Sequence, residues 1–291
     1  MIKDFEYLRP KTLEEALKLL SQYKDECKVI AGGQSLIILM KQKLVTPQYL
    51  IDIKGISALD YIKFDPNNGL RVGALTTHRA IEKSPLFQNG LSILSEMEHR
   101  LASVGIREWG TIGGNLCHAD PIGDPAPVLI VLNGQLKMAS LRGERTMPVE
   151  EFAQDYFNNA LESDELFTEI QVPKPFPRTG VAYTKFNLVE GDQAIVAAAV
   201  SITLSSKNGK CENARIALGG AAPTPLRVQK AEQVLAGQEI TDKLIEEAAR
   251  VASGETSPIS DIHASEAFKR ELTDVMVRRV AKEALTRAKK T

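Results

Sequence analysis

The chain has only three cysteines in 291 residues, and Cys27, Cys117 and Cys211 lie far apart. They form neither a CxxC pair nor an even framework of bridges, which suits a reducing compartment. Three thiolates also fall short of the usual four that hold an iron–sulfur cluster, so any cluster this chain works with lies on another polypeptide. An excess of one charge is missing too: 36 Lys and Arg stand against 37 Asp and Glu. A chain so balanced has no global field with which to gather nucleic acid or lie on a membrane surface. The longest apolar run, around Ala194 to Leu204, is far short of the roughly 20 residues that span a bilayer. Met1-Ile-Lys-Asp-Phe-Glu6 is charged where a leader would be apolar. These absences predict a cytoplasmic protein with no membrane span.

The familiar nucleotide motifs are missing as well. No G-x-G-x-x-G spacing and no Gly-Lys-Ser/Thr occurs, which disfavours a Rossmann dehydrogenase or a P-loop enzyme. His78, His99, His118 and His263 are isolated in sequence, so no metal site is expected, and they read as surface, capping or core-polar residues. No Ser/His/Asp or paired-carboxylate constellation calls for a nucleophile or a general base, so no catalytic side chain is assigned. There is no internal repeat and no low-complexity tract.

What is present is an ordinary globular chain, 43% hydrophobic and 25% charged, long enough for two or three subdomains. Thr12-Leu-Glu-Glu15 is a capping box, and the apolar spacing behind it predicts a helix over 12–23. A buried strand over 28–31, a turn at Gly32-Gly33, a helix over 35–44 and a strand over 49–53 make a βαβ unit. Asp65-Pro-Asn-Asn-Gly69 predicts a hairpin between strands 61–64 and 70–74. Helices follow at 77–83 and 91–101. Asp124-Pro125 reads as an N-cap with Pro at the first helical position, opening a helix to Leu132. Antiparallel strands are predicted at 181–186, 194–204 and 214–219, with a turn at Asn208-Gly209, and helices at 226–235, 242–252 and from His263 to about Lys289. Pro173, Pro175 and Pro177 mark a stiff linker. Met97 and Trp109 read as packing residues.

Two interruptions of the apolar pattern carry the chemistry. Val29-Ile-Ala-Gly-Gly-Gln-Ser-Leu36 and Trp109-Gly-Thr-Ile-Gly-Gly-Asn-Leu116 each set a Gly-Gly pair beside small hydrogen-bonding side chains. One such pair is explained by a tight turn alone. A strand that ends in Gly-Gly and feeds a helix leaves backbone N–H groups unpaired, and without β-carbons an anionic group can approach them closely. Ser35 adds a cap and a hydroxyl, and Gln34 can bond a phosphate or a sugar. Two such segments suggest a long ligand held in two places.

Ala31-Gly-Gly-Gln-Ser35 with the following helix and Leu50-Ile-Asp-Ile53, and Thr111-Ile-Gly-Gly-Asn115 with Leu116-Cys-His-Ala-Asp-Pro121 and Asp124, resemble the two flavin loops of a known family. That family is the FAD-binding medium subunit of the molybdenum hydroxylases, the group of xanthine dehydrogenase and aerobic carbon monoxide dehydrogenase. Gly73-Ala-Leu-Thr-Thr-His78, Glu165-Leu-Phe-Thr-Glu-Ile-Gln-Val-Pro173, Lys185-Phe186 and Asp261-Ile-His263 extend the resemblance over essentially the whole chain. It implies an α+β fold of the vanillyl-alcohol-oxidase type. An N-terminal FAD-binding subdomain would span 1–57, a central one 58–176 and a C-terminal domain of small antiparallel sheet and helices 177–291.

The resemblance also implies noncovalent FAD. Ile30, Ala31, Gly32, Gly33, Gln34, Ser35, Leu36, Thr111, Ile112, Gly113, Gly114 and Asn115 would hold its diphosphate and neighbouring groups. Asp124 would accept a hydrogen bond from it, Lys185 would lie near the isoalloxazine, and the backbone at Phe167 would touch it. A cation near the pyrimidine side favours the negative charge of reduced flavin; taken alone, Lys185 reads as a solvated strand lysine. Leu188-Val189 depart from the family, which often carries arginines there, and the four-cysteine insertion of the 4-hydroxybenzoyl-CoA reductase branch is absent.

The implied activity is an oxidoreductase electron relay in a dimer of heterotrimers. A large molybdopterin subunit oxidises substrate, a small subunit passes single electrons through [2Fe-2S] clusters, and FAD here hands pairs to NAD, oxygen, a quinone or a carrier protein. A stand-alone flavin oxidoreductase would keep the same loops. A cofactor-free scaffold would leave both glycine pairs without a purpose.

Overall fold

The computed structural model describes residues 2–87 and 91–290, so Met1 and Thr291, the outermost residues of the first and third expected domains, lie outside the described residues. The chain begins with β1 (Glu6–Leu8) and α1 (Leu13–Tyr23). Thr12 caps α1 as its spacing to Glu15 predicts: its hydroxyl accepts from the Glu15 N–H at 3.1 Å, while the Glu15 carboxylate takes the Lys11 N–H at 2.7 Å. Ala16, Leu17 and Leu20 are buried because the helical period puts them on one face. β2 (Cys27–Ile30), α2 (Leu36–Lys41) and β3 (Tyr49–Asp52) complete the βαβ unit. All pairings are parallel, in the order β1-β3-β2. α2 stops at Lys41 rather than Leu44, and Lys43 behind it turns to a φ of 60°.

The middle of the chain opens on the expected hairpin, β4 (Ile62–Asp65) and β5 (Gly69–Gly73). Asp65 makes its turn by accepting the N–H groups of Asn67 and Asn68, both at 2.8 Å. Five helices follow: α3 (His78–Lys83), α4 (Ser92–Arg100), α5 (Val104–Trp109), α6 (Ile112–His118) and α7 (Pro125–Val131). Sequence periodicity does not foretell α5 and α6. β6 (Gln135–Ser140), β7 (Gly143–Pro148) and β10 (Leu166–Val172) join the hairpin in an antiparallel sheet of order β4-β5-β10-β6-β7, and β8 (Ala153–Asp155) pairs with β9 (Asn158–Asn159) apart from it.

Beyond the proline linker lie β11 (Thr179–Phe186), β12 (Val196–Leu204), β13 (Cys211–Gly219) and β14 (Leu226–Arg227), antiparallel in that order. The helices are α8 (Gln229–Leu235), α9 (Asp242–Gly254) and α10 (Glu266–Lys290). The segment expected to be helical from Leu226 therefore starts as a strand. α10 starts three residues after His263, because Asp261 turns the chain by accepting the His263 and Ala264 N–H groups, and Ser265 caps through the Phe268 N–H.

Every residue of β12 is buried. Ala197 and Ala199 share a core with α4 and α7, whereas Ala198, Val200 and Ile202 share one with α8, α9 and α10. The alternation follows the two faces of a strand, and it explains why the longest apolar run is a sandwiched strand. By the same parity Val181 and Tyr183 face the central core. Lys185, two residues further along, follows that face towards α7.

Candidate functional site

β2 ends where the Ile53 N–H bonds the Ile30 carbonyl at 3.1 Å. The chain then crosses from Ala31 to Ser35 with Gly33 at a φ of 71°, a region costly for any side chain. Among the described residues, the N–H groups of Gly32, Gly33, Gln34, Ser35 and Leu36 have no acceptor within the chain. Five consecutive donors are thus available to a ligand. The Gln34 amide N–H donates to the Gly32 carbonyl at 3.3 Å and steadies the turn. Ser35 does not cap α2, contrary to expectation. Its backbone is already helical (φ −101°, ψ −47°), whereas a capping side chain needs an extended backbone.

Thr111 to Asn115 is likewise not a loop but a cap and first helical turn. Thr111 caps α6, accepting from the Gly114 N–H at 3.1 Å. The segment is pinned from behind: His78 N–H to the Gly110 carbonyl, Ile112 N–H to Thr76 and Gly113 N–H to Ala74, each at 3.0 Å. The four glycines serve different ends. A β-carbon on Gly32 would stand 2.8 Å from the Gly110 α-carbon, and one on Gly113 would stand 2.8 Å from the Ala74 β-carbon, so these two permit chain-to-chain contact. A β-carbon on Gly114 would meet only the Thr111 hydroxyl, at 2.9 Å, and otherwise enter open space. In consequence the two segments lie against each other.

Both segments border one cavity of about 790 Å³, in the upper part of the range of small-molecule and cofactor sites, roughly 300–1,000 Å³. Its wall includes Ile30 to Leu36, Thr111, Gly113 to Asn115, Asp124, Phe167 and Lys185. Ile112 is not among the lining residues; it is 1% exposed and packs in the central core. Glu82 and Arg107 stand behind another part of the wall and do not line it. Arg107 donates to Glu82 at 2.9 Å and to the carbonyls of Leu101 and Ala102, both at 2.7 Å, and these two residues line the cavity. Burial opposes ionisation of Glu82, but hydrogen bonds from Arg79, His99 and Arg107 prevail and bring its pKa down to about 2.

At the cavity wall Asp124 is held from both sides. Tyr183 Oη donates to Oδ1 at 2.5 Å and Lys185 Nζ to Oδ2 at 2.7 Å. Lys185 is half-buried as a residue, but its side chain is only 4% exposed, so it is not a solvated strand lysine. Asp124 precedes α7 as expected, but its side chain caps nothing. Pro125 and Pro127 lack the N–H groups that would have drawn the carboxylate back onto its own helix. Burial raises the pKa of Asp124, against the pull of Lys185 and Tyr183, and raises that of Tyr183 well above its ordinary value.

Residues that motif reasoning did not assign also reach the cavity. His78 lines it and bonds the fully buried Glu98 through Nδ1 at 2.8 Å. Burial raises the pKa of Glu98, and its Oε1 has no partner among the described residues. Cys117 lines the wall too, but burial pushes its thiol up to about 12, which leaves it inert as a nucleophile. Burial lowers the pKa of His118, whose ring lies tilted against that of Phe157 at a centroid distance of 5.1 Å. Met97 is buried as expected. Trp109 is not a core residue: it is 55% exposed, with Lys54 Nζ 3.5 Å from the ring centroid.

Residues 3–175 match the family described as the FAD binding domain in molybdopterin dehydrogenase, and residues 181–284 the CO dehydrogenase flavoprotein C-terminal domain. The chain belongs to the FAD-binding medium subunits of the molybdenum hydroxylases. It is 35% identical to the 6-hydroxypseudooxynicotine dehydrogenase complex subunit alpha of Paenarthrobacter nicotinovorans, over 99% of this chain and 96% of that one. It is 34% identical to the carbon monoxide dehydrogenase medium chain of Afipia carboxidovorans, over 98% of each. Among solved structures, a chain of carbon monoxide dehydrogenase from Hydrogenophaga pseudoflava superposes with a TM-score of 0.95 at 33% identity, covering 99% of both. The α+β fold of this medium-subunit family is therefore the fold of the chain. No helix among the described residues is long and apolar enough to cross a membrane.

Proposed function

We propose that this medium subunit holds FAD noncovalently in the cavity between its two glycine segments and serves as the electron relay of a molybdenum hydroxylase. The observation that carries the reading is the meeting of both segments with the Asp124–Lys185 pair around one cavity of about 790 Å³. The residues fit the group: an unpaired row of N–H groups from Gly32 to Leu36 suits a diphosphate, and Gly114 leaves its side open. Ile30, Ala31, Thr111, Gly113 and Asn115 complete that grip. Asp124 supplies an acceptor, Lys185 a cation with a buried side chain, and the backbone at Phe167 a further contact.

When bound, FAD supplies the ability to take electrons singly and give them in pairs. Lys185 favours added negative charge nearby, and its pairing with Asp124 tempers that effect. Burial of both keeps water from screening it. The partners are a small [2Fe-2S] subunit and a large molybdopterin subunit in a dimer of heterotrimers, with NAD, a quinone, oxygen or a carrier protein as acceptor. Within this chain the working units are 1–57, 58–176 and 177–291.

Purification together with the partner subunits tests the reading. One FAD per chain, released by denaturation without covalent attachment, is expected; an FAD-free complex would refute it. Turnover of a small substrate by the isolated chain would favour a stand-alone flavin oxidoreductase instead.

A further inference from the structure

Asp124 is placed to cap α7, yet its carboxylate is spent elsewhere. The first three helical residues include Pro125 and Pro127, so only one of the three has an N–H to offer. The carboxylate turns instead to β11, where Tyr183 and Lys185 stand two residues apart and hence on one face. Each takes one oxygen: the phenol Oδ1 at 2.5 Å, the ammonium Oδ2 at 2.7 Å. Tyr183 itself is 4% exposed and does not line the cavity. Its hydroxyl therefore acts on the cavity only through Asp124.

We propose that Tyr183 is a positioning residue that keeps Asp124 ionised against Lys185 and so fixes the local charge felt by whatever occupies the cavity. The proposal rests on the FAD reading for the identity of that occupant. With Asp124 ionised, the Asp124–Lys185 pair is neutral; with Asp124 protonated, Lys185 stands as a bare buried cation. The difference is one full charge in a poorly screened place, and a flavin becomes easier to reduce when that charge appears.

Two donors favour the charged form of the carboxylate, while burial, the stronger influence, raises its pKa. Other charges that act on Asp124 or on Tyr183 include His78 on α3 and Glu98 and Arg100 on α4, and His118, Asp120, Glu165, Glu190 and Asp192 border the same cavity. Among the described residues, Tyr183 and Lys185 are the side chains that donate to the carboxylate. Loss of the phenol oxygen therefore removes one of two direct supports. A charge-assisted hydrogen bond of this kind corresponds to about a tenfold change in proton affinity, or about one pH unit.

The test is the flavin midpoint potential measured against pH in the holo complex for wild type, Tyr183→Phe, Asp124→Asn and the double variant. The break in the line that belongs to Asp124 should move up by about one pH unit in Tyr183→Phe. It should vanish in Asp124→Asn, and the double variant should follow Asp124→Asn alone. Superimposed wild-type and Tyr183→Phe lines would overturn the role of Tyr183. So would a Tyr183→Phe effect that survives intact when Asp124→Asn is already in place. If Tyr183→Phe loses its flavin, infrared detection of the protonated Asp124 carbonyl in the apo chain decides the matter. The band should appear at a pH about one unit above wild type, and an unmoved band refutes the proposal. A wild-type complex without FAD would instead sink the cofactor reading on which the proposal rests.

Discussion

The backbone of Trp109 fills the space where a β-carbon on Gly32 would stand: the carbonyl oxygen lies inside contact distance and the Trp109 carbonyl carbon is 2.9 Å away. The glycine pair of the first segment is thereby divided, with Gly32 turned to the second segment and Gly33 to the left-handed turn. Gly32→Ala should force the segments apart, costing about 1–3 kcal/mol of stability as overpacking does, together with FAD retention. Gly114→Val should cost only about 1 kcal/mol, by disturbing the Thr111 cap that its β-carbon meets at 2.9 Å, and still abolish FAD retention, because the rest of the side chain enters the cavity. Gly33→Val should lose both. Thermal melts beside flavin content separate the three; full flavin content in Gly114→Val would contradict the cradle.

Glu82 should impose a pH dependence on the cavity wall. Its pKa of about 2 is below its unfolded value, so its stabilisation is fully present above the unfolded pKa of about 4.3 and is lost as pH falls towards 2. Glu82→Gln should cost roughly 2–3 kcal/mol at neutral pH, with the difference from wild type shrinking between about pH 5 and pH 2. Denaturant unfolding at several pH values checks the trend. A constant difference down to acid pH would show that the guanidinium of Arg107 is held by its bonds to the Leu101 and Ala102 carbonyls alone.

Much of this arrangement is legible in sequence, and what escapes does so for physical reasons. The βαβ unit, the Asp65 hairpin and the three long C-terminal strands follow from period and turn chemistry. α6 does not, since two glycines in a first turn argue against a helix. Packing against Ala74 requires a glycine at 113, and that contact outweighs propensity. Likewise the carboxylate of Asp124 escapes the capping role its position suggests, because the prolines after it matter for the N–H groups they lack. Tyr183 carries no motif, and the segment that ends in His78 resembles the family without giving that side chain a role. Their relation to the cavity arises only when β11 and α3 pack against α7 and α4, and strand parity is the one signal that links Tyr183 to Lys185.

Lys185→Ala should be most costly at neutral and alkaline pH. Removing one partner of a buried pair typically costs about 3–5 kcal/mol, because Asp124 would stay buried with its charge unmatched. The folded pKa of Asp124 is raised, so its favourable contribution is full below the unfolded value of about 3.9 and is lost as pH rises through the folded value. Without Lys185 that folded value climbs further. The variant should therefore gain stability relative to wild type as pH falls and Asp124 takes up a proton. Parallel stability curves across pH would count against the pair as the source of the effect.

The single tryptophan offers a direct readout of occupancy. Trp109 ends α5 beside both segments, and Lys54 covers its ring at 3.5 Å. Flavin absorbs where indole emits, so energy transfer over the short distance from Trp109 to the cavity should quench its fluorescence when FAD binds the apo chain. The quench should saturate at one FAD per chain. Lys54→Ala should change the emission of the apo chain by removing the cation over the ring, at a cost in stability of about 0.5–1 kcal/mol typical of an exposed cation–π contact, while FAD stoichiometry stays the same. Emission that is indifferent to added FAD would place the flavin far from Trp109 and so outside the cavity its neighbouring glycines border.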